Sequence, residues 1–144
     1  MKKLQAEIGK ILPFELPEEE LYLNLLRTSS LLELPFLRLF KAHHLSESTY
    51  NVLRILRGEG SKGASCGLIR QRLVSRVPDV TRLIDRLVER GLVERDRADS
   101  DRRIVLNRIT PRGRDILAKV DEPLRQLHLS QFSQLRAGAS INVK

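Results

Sequence analysis

The chain has a single cysteine, no apolar run of membrane-spanning length and no residue set at the spacing of a catalytic motif. Each gap excludes a class. Cys66 alone rules out an intrachain disulfide and suits a reducing cytosol. The Leu-rich stretch around residues 31–40 is interrupted by Glu33 and Arg38, so no bilayer span is expected. The opening MKKLQAEIGK carries lysines without an apolar core behind them, which argues against a signal peptide. A cytoplasmic protein is therefore expected. No nucleophile–base pair, glycine-rich phosphate loop or carboxylate cluster stands at motif spacing, so an enzyme is not supported. His43, His44 and His128 do not make a metal motif, and neither a metal nor a cofactor is expected. Internal repeats and low-complexity linkers are missing too.

What is present is charge, unevenly placed. The 144 residues include 26 Lys+Arg and 18 Asp+Glu, a net of +8. Residues 1–63 hold 9 basic and 8 acidic side chains, residues 64–120 hold 14 and 8, and residues 121–144 hold 3 and 2. The middle segment thus carries +6 of the net charge, with 13 of its 14 cations arginine. Solubility needs no such clustering, whereas a polyanion footprint does. Arginine is also the better residue for bidentate contacts to phosphate and guanine.

Apolar periodicity orders the rest. Residues 1–17, with Pro13 and Pro17, read as an arm that is extended or briefly helical. From Glu18 to about His43 a long helix is expected, with Pro35 as its kink or break. Its density of Leu and Phe exceeds one core-facing stripe, which points to burial of a second face against another subunit. Ser46 caps a second helix holding Tyr50, Val52, Leu53 and Leu56 inward, stopped by Gly58 and Gly60. A third helix is expected over Gly63–Val74, with Leu68, Ile69 and Leu73 inward. After the turn Ser75-Arg76-Val77-Pro78, a fourth begins at Pro78. Thr110-Pro111 caps a last helix carrying Ile116, Leu117, Val120, Leu124 and Leu127, with Pro123 a bend.

Val77 to Gly113 carries the most function. In the fourth helix Val80, Leu83, Ile84, Leu87 and Val88 line one face, while Asp79, Arg82, Asp85, Arg86 and Glu89 project from the other. Gly91 ends it. A strand over Leu92–Arg95, a hairpin over Asp96–Arg102 and a returning strand over Arg103–Ile109 follow. In the second strand Ile104, Leu106 and Arg108 alternate with Val105, Asn107 and Ile109. The layout suits a helix in the major groove of double-stranded DNA and a basic finger in the adjoining minor groove. Candidate contacts are Asp79, Thr81, Arg82 and Arg86 on the helix, Ser75 and Arg76 in the turn before it, and Arg97, Arg102 and Arg103 on the finger. The plainer alternative is a solvated face, with Asp85 and Glu89 pairing the helix arginines and Asp79 serving only as a cap. The fold class is mainly α: a winged helix-turn-helix core with a two-stranded wing, flanked by N- and C-terminal helices.

These segments resemble the multiple-antibiotic-resistance regulator (MarR) family of bacterial transcription factors. LSESTYNVLRIL (Leu45 to Leu56) looks like its second-helix signature, with Thr49 where Gln is frequent. VTRLIDRLVERGLVER (Val80 to Arg95) looks like its recognition helix and first wing strand, and DRRIVLNRITPRG (Asp101 to Gly113) like its wing and last-helix start. The third helix, LIRQRL, departs in lacking a small residue after its leading Leu, and RAGASINVK stands where the family often has another helix. The resemblance implies one domain over 1–144, with dimerisation helices at 18–44 and 112–137 and a DNA-binding part at 45–111. It implies a homodimeric repressor on a pseudo-palindromic operator, released by a small aromatic or anionic effector. It also implies that the Asp101 carboxylate holds the Arg103 guanidinium rigid for the minor groove. His43 and His44 fall near where the family places its effector pocket, or are polar residues ending a helix. Cys66 is expected to be a passive thiol. The alternative from another class is a winged helix used as a protein-interaction module.

Overall fold

The computed structural model describes residues 2–97 and 103–133. Six α-helices and two strands are found among them: α1 (Lys2–Glu7), α2 (Pro17–Ala42), α3 (Glu47–Glu59), α4 (Cys66–Arg72), α5 (Val80–Glu89), β1 (Val93–Arg97), β2 (Val105–Ile109) and α6 (Pro111–Gln131). The chain clusters into two units, divided after Pro35.

In the first unit, Glu18, Glu19 and Glu20 stand in the first turn of α2, where the helix dipole favours negative charge. Arg27 Nε meets Glu7 Oε2 at 3.0 Å, and Lys10 lies 5.2 Å from the Phe14 ring centroid. Leu4 is buried, but Leu21, Tyr22, Leu25, Leu26, Leu31 and Leu34 of α2 stay exposed. The surplus apolar surface read from the sequence is therefore real. α2 continues through Pro35, and α6 through Pro123, as unbroken helical segments. One missing N–H in a long ladder does not end a helix whose neighbouring turns remain bonded.

The second unit holds the core. α3 is its centre: Val52, Leu53 and Leu56 are fully buried, with Tyr50 and Ile55 beside them. Around it pack Ile69 of α4, Val80, Ile84 and Leu87 of α5, Val93 and Ile109 of the sheet, and Leu117 and Val120 of α6. Each such side chain contributes about 1.5–3 kcal/mol by leaving water. Phe40 stacks on Tyr50 with centroids 4.5 Å apart. The Arg57 guanidinium clasps Asp121 with two bonds of 2.7 and 3.0 Å, tying α3 to α6.

Local chemistry sets the boundaries. At α3, Ser46 Oγ accepts from the Thr49 amide, and the Ser46 amide donates to Thr49 Oγ1. Thr49 thus completes a capping box in the position where Gln or Glu usually does so. Gly58 lies inside α3, and Gly60 is its C-cap. α4 is shorter than the Gly63–Val74 expected. Gly63 has φ +68, Ala64 pairs with β2, and Ser65 caps the helix through the Leu68 amide. Of the residues expected inward, Ile69 is buried while Leu68 and Leu73 are half-buried. α5 starts at Val80 rather than Pro78, because Asp79 takes the cap position. Its end is a Schellman turn: Gly91, at φ +68, donates to Val88 O and Leu92 donates to Leu87 O. The strands also shift from expectation, β1 running to Arg97 and β2 beginning at Val105.

Candidate nucleic-acid interface

α5 buries Val80, Leu83, Ile84 and Leu87 and turns Thr81, Arg82, Arg86 and Glu89 to solvent. Asp79 Oδ1 accepts from the Arg82 amide at 2.9 Å, so this carboxylate is committed to capping. Ser75 and Arg76, in the turn from α4, are both exposed. Asp85 does not pair with the helix arginines. It reaches off the helix to Arg95 of β1, with Nη2 to Oδ1 at 2.5 Å. Among the described residues no ion pair engages Arg82 or Arg86, and their guanidinium groups face water.

The wing is an antiparallel pair in which Arg95 faces Asn107 and Arg97 faces Val105. Residues directly opposite share a face, so Arg97 projects on the side from which Arg95 reaches α5. On the other face, Arg108 Nε donates to Ser61 O at 2.6 Å and Nη1 meets Asp96 Oδ2 at 3.4 Å. Arg97 and Arg103 are exposed on either side of the tip. Asp101 and Arg102 lie outside the described residues. Arg82 and Arg86 thus stand exposed on α5 and Arg97 on β1, two elements that the Asp85–Arg95 ion pair joins.

Three residues outside the contacts expected from the sequence organise this surface. Asn107 is fully buried and donates both its backbone and side-chain N–H to Ala64 O, each at 2.9 Å. Arg95 links β1 to α5, and Asp85 is its partner rather than a neighbour's. Only the alternation along β2, which placed Asn107 with Ile109, hinted at any of this. Cys66, the first residue of α4, is half-buried with its Sγ 3.9 Å from Asn107 Nδ2.

His43 and His44 occupy the turn from α2 to α3. His44 has φ +55; its amide donates to Lys41 O at 2.9 Å, and that of Leu45 to Phe40 O at 2.9 Å. This is a second Schellman turn, with histidine in the left-handed position that glycine usually takes.

A family model for the MarR family matches residues 45–105. A MarR transcription factor from Planctomyces limnophilus is 39% identical over 88% of this chain and 91% of its own, with a TM-score of 0.71. This chain belongs to the MarR family. MarR membership makes it a DNA-binding transcriptional regulator and implies no enzymatic role. The transcriptional regulator BldR from Sulfolobus solfataricus is similar at 28% identity, covering 82% of this chain and 86% of that one, with a TM-score of 0.62. Bordetella bronchiseptica BpsR, whose DNA binding is regulated by 6-hydroxynicotinic acid, is similar at 25%, covering 78% and 84%, with a TM-score of 0.67. No curated protein matches. Among the described residues, no helix of this MarR chain is long and apolar enough to cross a membrane.

Proposed function

We propose that this MarR-family chain is a homodimeric, cytoplasmic repressor of a pseudo-palindromic operator in double-stranded DNA. The observation that carries the reading is the state of α5's outer face: Asp79 is spent on capping and Asp85 on Arg95, leaving Arg82 and Arg86 turned outward. Arg82, at the helix end that enters the groove, and Thr81 beside it read base edges. Arg86 contributes less, with Glu89 one turn of helix away. Ser75, Arg76 and the N-terminus capped by Asp79 position the protein on phosphates. Arg97, Arg102 and Arg103 supply the wing, with Asp101 holding Arg103 for the minor groove.

The uncovered apolar residues of α2 support dimerisation. Two recognition helices on a two-fold axis then address half-sites about 34 Å apart. A small aromatic or anionic effector releases the dimer from DNA, with His43 and His44 the candidate lining; the regulation of BpsR's DNA binding by 6-hydroxynicotinic acid supports an effector of this class. Anisotropy titration of duplexes from the chain's own promoter region tests the reading. Binding should weaken steeply with salt and need a palindrome. Salt-insensitive or absent binding would overturn it and favour a protein-interaction module.

A further inference from the structure

The wing is a two-stranded ribbon, a structure that is marginal without support. Its base is secured by burial of Val93 and Ile109 and by Thr110, whose hydroxyl donates to Gly91 O at 2.7 Å. Nearer the tip it is held on both faces. Arg108 ties one face to Ser61 O at 2.6 Å. Arg95 ties the other to Asp85 of α5 at 2.5 Å, while its Nε points to Asn107 Oδ1 at 3.4 Å. Asn107 is in turn locked onto Ala64 O, two residues before α4. One guanidinium therefore spans the recognition helix and both strands, and connects through Asn107 to the lead-in of α4.

We propose that Arg95 and Asp85 are positioning residues for DNA recognition: their ion pair sets the wing against α5 so that both reach adjoining grooves together. The assignment rests on the DNA-binding reading above. Its value lies in geometry rather than stability. The two side chains remain 33% and 44% exposed, and pairs this exposed add little to folding. The fork-shaped guanidinium can satisfy Asp85 and Asn107 at once, which an ammonium point charge cannot. The proposal makes an unusual demand. Asp85 is an acidic group on a surface that meets a polyanion, so removing its charge should tighten binding by simple electrostatics. If the pair positions the wing, removal weakens it instead.

The test is anisotropy titration of one promoter duplex with the parent, Asp85→Asn, Arg95→Ala, the double variant and Arg95→Lys. Each single variant is expected to bind roughly tenfold more weakly. The double variant should be no weaker than Arg95→Ala, because the two act through one contact. Melting temperatures should stay within about 3 °C of the parent. The Arg95→Lys variant keeps a cation for any phosphate but loses the double hold, and should also lose affinity. Parent-level or tighter binding by Asp85→Asn, or by Arg95→Lys, overturns the assignment. So do losses that multiply in the double variant. A parent that binds no DNA overturns the functional reading beneath it, an outcome distinct from these.

Discussion

Asn107 directs two donors, its backbone amide and its side-chain amide, at the single carbonyl of Ala64, each at 2.9 Å. The residue is wholly buried in a strand whose Val105 is 42% exposed. A polar group takes the inside position because the adjoining element is not an apolar helix but a one-residue β-bridge. Its amide satisfies an acceptor that would otherwise be underused in a dry site.

Asn107→Leu should therefore destabilise the fold despite its apolar replacement, by about 1–3 kcal/mol. Asn107→Asp should be worse at neutral pH, since an acceptor-only carboxylate would face the Ala64 carbonyl. Urea unfolding checks both. A parent-like midpoint for either variant would show that the side-chain bond contributes nothing.

Gly113 should resist even alanine. A Cβ there would stand 2.4 Å from Leu92 O and 2.7 Å from Ile109 Cγ1, inside the contact between α6 and the base of the wing. Helix propensity alone would make Gly113→Ala stabilising by about 1 kcal/mol. Overpacking against a backbone oxygen reverses the sign, with a net loss of about 1–3 kcal/mol. Thermal melts decide between the two.

His44→Gly should stabilise. The left-handed backbone at φ +55 strains a side chain with a Cβ, by about 1–2 kcal/mol. Glycine removes that strain but adds unfolded-state freedom, leaving a gain below about 1 kcal/mol. A lower melting temperature would mean that the imidazole makes contacts worth more than the strain.

For DNA, Arg82→Ala and Arg103→Ala should each lose roughly 1–3 kcal/mol of binding with little change in melting temperature. Arg82→Ala should relax preference at specific base pairs, while Arg103→Ala should blunt sensitivity to minor-groove width. Arg86→Ala should lose less. Titration against a panel of duplex variants separates these effects. Equal losses of folding stability would mark the residues as structural.

Burial pushes the Tyr50 phenol above its ordinary value of 10.0, with Arg54 and Arg57 pulling more weakly the other way. A folded-state value raised above the unfolded one gives stability that is present in full below pH 10. That stability is lost as pH climbs through the folded value. Tyr50→Phe should therefore flatten the alkaline decline in melting temperature relative to the parent. Parallel curves would show that Tyr50 does not contribute to it.

Much of this protein is legible in one dimension because its signals are local. Ser46 and Thr110 announce helix starts because a side-chain oxygen needs only the amide a turn away, whereas at α5 the start expected at Pro78 gives way to the cap at Asp79. Gly91 announces a helix end because left-handed backbone favours glycine. The apolar spacing in α5 names Val80, Leu83, Ile84, Leu87 and Val88 as one face; the first four are buried and Val88 is half-buried. The short α4 was less legible. Nothing near Gly63 and Ala64 in sequence reveals that β2, more than forty residues on, claims that backbone.

The same limit applies to the interface. Sequence alone marks α5 as an arginine-bearing helix followed by a basic wing, since composition and periodicity travel with the chain. It cannot say which carboxylate answers which arginine. Asp85 lies one helical turn from Arg82 and beside Arg86, and spacing along the helix favours a local pair. Tertiary structure decided otherwise by folding β1 back along α5, bringing Arg95 to Asp85. Ion pairing depends on distance in space, and only packing of the wing sets that distance.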